Sequence, residues 1–184
     1  LPHILEEALK NVEQQKRMRW GGSKISFIRP IRWLLLFYGD ENLSCKICGI
    51  QTRNNTFGNK CISNNEITIN NIDEYFINIE KNGVELHQSK RKELIKREIK
   101  NIIKQNKFDD NIDSSLIDEL TNMTEYPHIY LGKFPEKYLD LPDEVLRYVI
   151  QDTQKYFLVY RDNKIANFFI GVSNVKVNSI IIKG

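Results

Sequence analysis

Between Leu86 and Gln105 the apolar residues Leu94, Ile95, Ile99, Ile102 and Ile103 recur at helical spacing, while Lys92, Lys96, Lys100 and Lys104 stand four apart. This two-sided stretch is the clearest helix in the chain, and the rest of the fold has to give its apolar stripe something to pack on. Further helices are predicted over Pro2–Gln15, from Asp73 as cap to about Lys81, from Ser114 or Ser115 to about Met123, and from Pro142 onward through Val145, Leu146, Val149 and Ile150. Strands are predicted over Lys24–Ile28, Arg32–Tyr38, Leu43–Ile50, Glu66–Ile69, His128–Phe134, Tyr156–Tyr160 and Ile165–Val172. Gly39-Asp40-Glu41-Asn42 and Arg161-Asp162-Asn163-Lys164 read as turns that make hairpins of their neighbours, and Gln51–Asn65 reads as a polar loop. Helices and strands are interspersed without strict alternation, so the expected class is α+β, with a mixed or mainly antiparallel sheet and packed helices.

The chain has 184 residues, room for one medium domain with an extra lobe; a helical sub-lobe at about 72–124 fits the pattern. Its longest apolar run near the start, Trp33–Tyr38, is too short to cross a bilayer, and no secretory leader is visible, so a cytoplasmic location is expected. Residue 1 is Leu and the chain stops within Ile180-Ile181-Ile182-Lys183-Gly184, which reads as a segment excised from a longer protein.

A net charge of +3 conceals strong segregation. Lys16, Arg17, Arg19, Lys24, Arg29 and Arg32 occur between Gln14 and Arg32 with no acid among them. Eight basic residues lie between His87 and Lys107, and ten acids lie between Phe108 and Glu144. Such blocks make either a phosphate-binding face or merely solvated helices and loops.

Cys45-Lys46-Ile47-Cys48 offers two thiols where a structural zinc site needs four ligands, with only Cys61 and the separate His3, His87 and His128 to add. A redox pair belongs at a helix N-terminus rather than in a strand, so these cysteines read as packing residues, and no metal site is expected. No glycine-rich phosphate loop or nucleophile–base pairing is visible, and no catalytic residue is expected in this segment. What remains is a basic run interleaved with aromatics: Lys16-Arg17-Met18-Arg19-Trp20, then Phe27-Ile28-Arg29-Pro30-Ile31-Arg32-Trp33. Arg grips phosphate bidentately and stacks on bases, and aromatic faces stack with any base. Alternatively, Trp33, adjoining Leu34-Leu35-Leu36, is a core residue and the arginines form local salt bridges, while Trp20 beside two glycines is more open.

The same residues carry a family resemblance. Lys16–Gly21 followed by Phe27–Trp33 and Gly39-Asp40 resembles the K-x-M-R-W-G, F-V-R-P-V and G-D pattern of the bacterial glycyl-tRNA synthetase β subunit of the two-subunit type. In the same order, Thr56–Lys60 is similar to that family's T-x-G-H-R loop, Leu120–Pro127 to its L-V-E-W-P segment, and Leu141–Leu146 to its L-P-x-E-x-L. Asp152–Val159 resembles its Q-K/R-Y-F-P-V, and Asn167–Asn174 its F-I-x-V-x-N strand. Asn59 and Lys60 stand where the family has His and Arg, Leu158 stands where it has Pro, and the cysteine positions are ordinarily apolar there.

The resemblance implies an α2β2 glycine–tRNA ligase in which ATP, Mg²⁺ and glycine bind the α subunit and the β subunit supplies most of the grip on tRNA(Gly). It also implies a fold similar to the editing-type domain of the phenylalanyl-tRNA synthetase β chain, an analogy of fold that carries no activity with it. The expected tRNA contacts are Lys16, Arg17, Arg19, Trp20, Arg29, Arg32, Lys60 and Lys155. The rival expectations are an interaction module, with the Leu86–Gln105 helix packed on another domain or on the α subunit, and a deacylase-like editing domain. The latter is disfavoured because size exclusion already protects glycine, the smallest amino acid.

Overall fold

A computed structural model describes residues 1–13, 16–19 and 26–176 of the chain. It divides into two units, Leu1–Asn82 and Gly83–Gly184. The boundary lies inside the stretch 72–124, so the helix before it and the two after it belong to different units.

The first unit begins with α1 (Pro2–Asn11), where proline takes an early helical position that needs no N–H. Short strands follow: β1 (Met18–Arg19), β2 (Ser26–Phe27), β3 (Leu34–Leu35), β4 (Phe37–Tyr38), β5 (Glu41–Asn42), β6 (Lys46–Ile47), β7 (Ile50–Arg53), β8 (Asn55–Phe57) and β9 (Glu66–Thr68). The unit closes with α2 (Ile72–Lys81), capped by Asn71, whose side chain accepts the Glu74 N–H at 2.9 Å. Asn71 rather than the expected Asp73 is the cap; Asp73 sits in the first turn.

The expected hairpin of Arg32–Tyr38 with Leu43–Ile50 is replaced by smaller pieces. β4 turns directly into β5, β6 into β7, and β3 pairs in parallel with β7, Leu34 opposite Thr52. The turns explain the division. Gly39 has φ 58°, and Cys48 and Gly49 have φ 51° and 78°, so each tight turn is made by residues in the left-handed region. Cys48 thus lies in a turn and is buried, while Cys45 is half-buried and Cys61 exposed; all three thiols are free. Part of the expected loop Gln51–Asn65 is strand, with β8 paired antiparallel to β9. Thr52 is buried between the hairpins, and its hydroxyl accepts the Cys45 N–H at 2.8 Å.

The second unit contains α3 (Gln88–Asn106), α4 (Ser114–Met123), β10 (His128–Lys133), a 3-10 turn (Glu136–Asp140), α5 (Asp143–Leu146), a π-helical segment (Arg147–Thr153), β11 (Phe157–Arg161) and β12 (Lys164–Ser173). The three strands form one antiparallel sheet in the order β10-β12-β11. Ile95, Ile99 and Ile103 of α3 and Leu116, Ile117 and Leu120 of α4 meet Phe157, Val159 and Ile170 in one apolar core. On the other face, Leu158 and Ile165 pack on Leu146. There Gly132 lies beneath the ring of Phe169 and Gly171 beneath that of Tyr130, close approaches that leave no room for a Cβ. Asp162 and Asn163, with φ 53° and 60°, make the tight β11–β12 turn.

Asp113, not Ser114 or Ser115, caps α4. One carboxylate oxygen accepts the Ser115 N–H at 2.8 Å and the Ser115 hydroxyl at 2.7 Å; the other accepts Gln151 Nε2 at 3.0 Å, tying α4 to the π-helical segment. The Ser115 hydroxyl bond, with further help from backbone N–H groups and Arg147, holds this carboxyl below its ordinary range against the cost of desolvation. Because its folded value is lowered, its stabilisation is present above the ordinary carboxyl value and is lost as pH falls through the folded value. Replacing Asp113 with Ala is expected to lower the urea-unfolding free energy by about 1 kcal/mol at neutral pH. That deficit starts to shrink as pH falls below about 4, the ordinary carboxyl value, and fades as the folded carboxyl is protonated at lower pH. A deficit independent of pH down to the acid limit would show that the charge contributes nothing.

Candidate nucleic-acid interface

In the first unit, β7 and β8 run almost continuously from Ile50 to Phe57. Thr52 and Thr56 are buried, and Gln51, Arg53, Asn55 and Phe57 line the opposite side, the period of two expected of a strand. Glu66 of β9 is the direct cross-strand partner of Phe57. Trp33, just before β3, brings its ring to 4.6 Å from the Phe57 ring, inclined at 57°. Together with Ile50, Arg32 and Lys60 these residues enclose a cleft of about 350 Å³.

Lys60 reaches the cleft through its loop. Gly58 packs against Asn82, leaving no space for a Cβ. Asn59 is 2% exposed, its side-chain oxygen accepts the Cys61 N–H at 2.9 Å, and its backbone N–H donates to the Asn82 carbonyl at 2.9 Å. Held there, Lys60 projects its ammonium over the Trp33 ring, 5.6 Å from the centroid. Asn59, where the resembled family has His, organises this loop by hydrogen bonding that needs no imidazole.

Arg32, Arg53 and Lys60 are exposed, and the ion pairs among the described residues include none of them. Three cations without an ion pair among the described residues, Lys60 resting over the Trp33 ring, stand with one carboxylate around two tilted rings and give a positive apolar corner. It can attract a polyanion and stack a flat group.

The residues expected as contacts lie in different places in the structure. Arg32 and Lys60 come together here, joined by Arg53 and by Trp33, which is half-buried in the cleft wall rather than a core residue. Arg53 was hidden in the stretch read as a polar loop; the alternation of 51, 53, 55 and 57 could have revealed it, but its inward residues are threonines rather than aliphatics. Arg17 is committed elsewhere: Nη2 donates to the carbonyls of Lys10 at 2.8 Å and Val12 at 2.9 Å, satisfying the C-terminal end of α1. It borders a different cavity, of about 380 Å³, with Phe27 and Cys48. Lys16, Arg19 and Arg29 are exposed, Arg19 on β1, and none of them lines the cleft. Trp20 and Lys24 lie outside the described residues. Lys155 belongs to the second unit, where its ammonium donates to Glu119 at 3.0 Å. The expected landing surface around Trp20 thus lies partly outside the described residues, while Arg32 and Lys60 meet at a cleft around Trp33.

The lysine row of α3 remains in solvent at Lys96, Lys100 and Lys104, whereas Lys92 is ion-paired with Asp118. A cavity of about 430 Å³ lies beside His128, whose pKa burial pushes down, aided by the charge of Lys176. Of the cations there, Arg97 is bonded to Glu98 at 3.1 Å. The first-unit cleft holds more cations without an ion pair among the described residues. No helix among the described residues is long and apolar enough to cross a membrane.

Comparison with known proteins gives the cleft its context. The family model described as "Glycyl-tRNA synthetase beta subunit" matches residues 1–184. The "Glycine--tRNA ligase beta subunit" of Aquifex aeolicus is 37% identical over 185 aligned positions, covering 100% of this chain and 28% of that protein. Its counterpart from Thermodesulfovibrio yellowstonii is 36% identical, covering 97% of this chain and 26% of that protein. The one from Clostridioides difficile is 36% identical, covering 95% and 25%. The chain thus spans about a quarter of the length of these relatives. On a match over its whole length, this chain belongs to the glycyl-tRNA synthetase β subunit family.

Proposed function

We infer that this segment helps a glycine–tRNA ligase hold its tRNA, and that the first-unit cleft is the docking point. The observation that carries this reading is the convergence of Arg32, Arg53 and Lys60, free of ion pairs among the described residues, on the Trp33–Phe57 corner. Guanidinium and ammonium groups capture phosphates, and the rings take an exposed base. The relatives' names supply the substrate: an enzyme that attaches glycine to tRNA must grip that tRNA.

Chemistry belongs elsewhere in this reading. Among the described residues no three His, Cys, Asp or Glu side chains stand together as metal ligands. By the family resemblance, ATP, its Mg²⁺ and glycine are assigned to the α subunit, the partner of the β subunit. The segment positions RNA for that reaction in the cytoplasm and is not itself catalytic. Its likeness to the editing-type domain of phenylalanyl-tRNA synthetase is a proposal about fold, not about hydrolysis.

Crosslinking tests the docking point. Gln51 lines the cleft and is exposed. A photoreactive phenylalanine analogue placed there in the full-length β subunit, assembled with α, is expected to crosslink to tRNA(Gly) on illumination. Crosslinks that form from other β-subunit positions but never from position 51 would move the docking point away from this unit.

A further inference from the structure

We propose that the Trp33–Phe57 cleft holds one unstacked guanine of the bound RNA, with Glu66 reading its Watson–Crick edge. The proposal rests on the docking reading above and names what the cleft selects. A volume of about 350 Å³ is at the small end of ligand pockets, suited to one nucleotide and not to a duplex. The two rings stand 4.6 Å apart and inclined at 57°, too close to admit a base between them. They form a corner, and a flat base fits against it.

Glu66 is what a simple phosphate clamp does not explain. Among the described residues it is the one carboxylate lining a cleft with three cations, and in the pairs formed there it neutralises none of them. Against a phosphodiester alone it would only repel. As the cross-strand partner of Phe57 it projects from the same face of the β8–β9 pair, with Cβ atoms about 5 Å apart. A base lying on Phe57 therefore turns an edge towards this carboxylate.

An ionised carboxylate only accepts hydrogen bonds. Guanine presents two adjacent donors, N1–H and the N2 amino group, and so satisfies both oxygens. Adenine sets an acceptor, N1, beside its single amino group, and the pyrimidines likewise place acceptors beside their donors. Arg32, Arg53 and Lys60 stand ready for the flanking phosphates. Unstacked bases in RNA are read in this manner, by stacking plus edge hydrogen bonds.

The experiment uses the intact αβ enzyme and the fluorescently labelled RNA pentamers UUGUU and UUAUU, with anisotropy as readout. Wild type is expected to bind UUGUU roughly ten-fold more tightly than UUAUU, the discrimination of one good bidentate contact. Glu66→Gln, which replaces one acceptor oxygen with a donor, should bring the ratio close to one. Equal affinity of wild type for the two pentamers, no binding of either, or a preference that survives in Glu66→Gln overturns the guanine assignment. The variant Arg32→Ala/Arg53→Ala/Lys60→Ala separates the two readings. Weakened tRNA binding in this variant without any guanine preference in wild type leaves docking standing and removes Glu66 as a reader, whereas unchanged tRNA binding removes both.

Discussion

Replacing Arg32, Arg53 and Lys60 together by alanine is expected to weaken binding of tRNA(Gly) to the intact αβ enzyme roughly 100-fold at about 0.1 M salt. The size follows from counterion release: each phosphate contact adds about 0.7 to 0.9 to the slope of log affinity against log salt. At 0.1 M, one decade below the 1 M reference, each contact is therefore worth somewhat less than a factor of ten. Three contacts give two decades or a little more, and the salt slope should become shallower by about 2 to 3. All three side chains are exposed, so their removal leaves packing intact and the loss reports on binding. Arg17→Ala is the matched control. Its guanidinium already serves the Lys10 and Val12 carbonyls, so its loss should loosen the end of α1 and leave the salt slope close to that of wild type. Filter binding across a salt series reads both quantities. A triple variant with the wild-type slope, or an Arg17→Ala variant that loses a full contact, would reverse this assignment.

Some of the structure was legible in the sequence for clear physical reasons. α3 extends over Gln88–Asn106, close to the predicted Leu86–Gln105, because nineteen residues provide enough turns for a helical period to stand out. The β11–β12 hairpin was equally plain, since Asp162 and Asn163 tolerate the positive φ that a tight turn demands. The segment 32–57 was not legible in this way. Its apolar runs suggested a hairpin of two long strands with a polar loop after it, but the strands there are two to four residues long and their partners are chosen by turns. One turn uses Cys48 at φ 51°, a conformation that nothing in a cysteine advertises. The cleft inherits this obscurity. Trp33 beside three leucines looks like core, and Arg53 among polar neighbours looks like loop; only the pairing of β3 with β7 shows that they share a site. Arg17 was obscure for a different reason. Its place in a basic, aromatic run suggested a ligand contact, but its acceptors are main-chain carbonyls at a helix end, and charge counting does not register those. The π-helical segment Arg147–Thr153 likewise continues an apolar pattern that reads as ordinary helix.

The largest single-site effect is expected in the second unit. Phe157→Ala should lower the unfolding free energy by roughly 3–5 kcal/mol, the range for a fully buried aromatic ring. Phe157 is 1% exposed and stands opposite Ile170, itself 0% exposed, in the β11–β12 ladder. Its ring belongs to the layer in which the sheet meets the isoleucines of α3 and the leucines of α4. Collapse into the vacated space is resisted from two sides. β12 is held by backbone pairing to both β10 and β11, and α4 is anchored by the Asp113 cap. The cavity should therefore persist, with its cost added to the lost transfer energy. Phe157→Leu, which keeps most of the apolar volume, is expected to cost less than half as much. Tyr148→Ala, at a side chain 66% exposed, should stay within about 0.5 kcal/mol of wild type. Urea unfolding of the three variants measures this order directly. A loss below about 1 kcal/mol for Phe157→Ala would mean that the sheet is not held by its contact with α3 and α4. The exposed lysine row of α3 would then need a different reason to face solvent, because it is the burial of Ile95, Ile99 and Ile103 against this ring and its neighbours that turns Lys96, Lys100 and Lys104 outward.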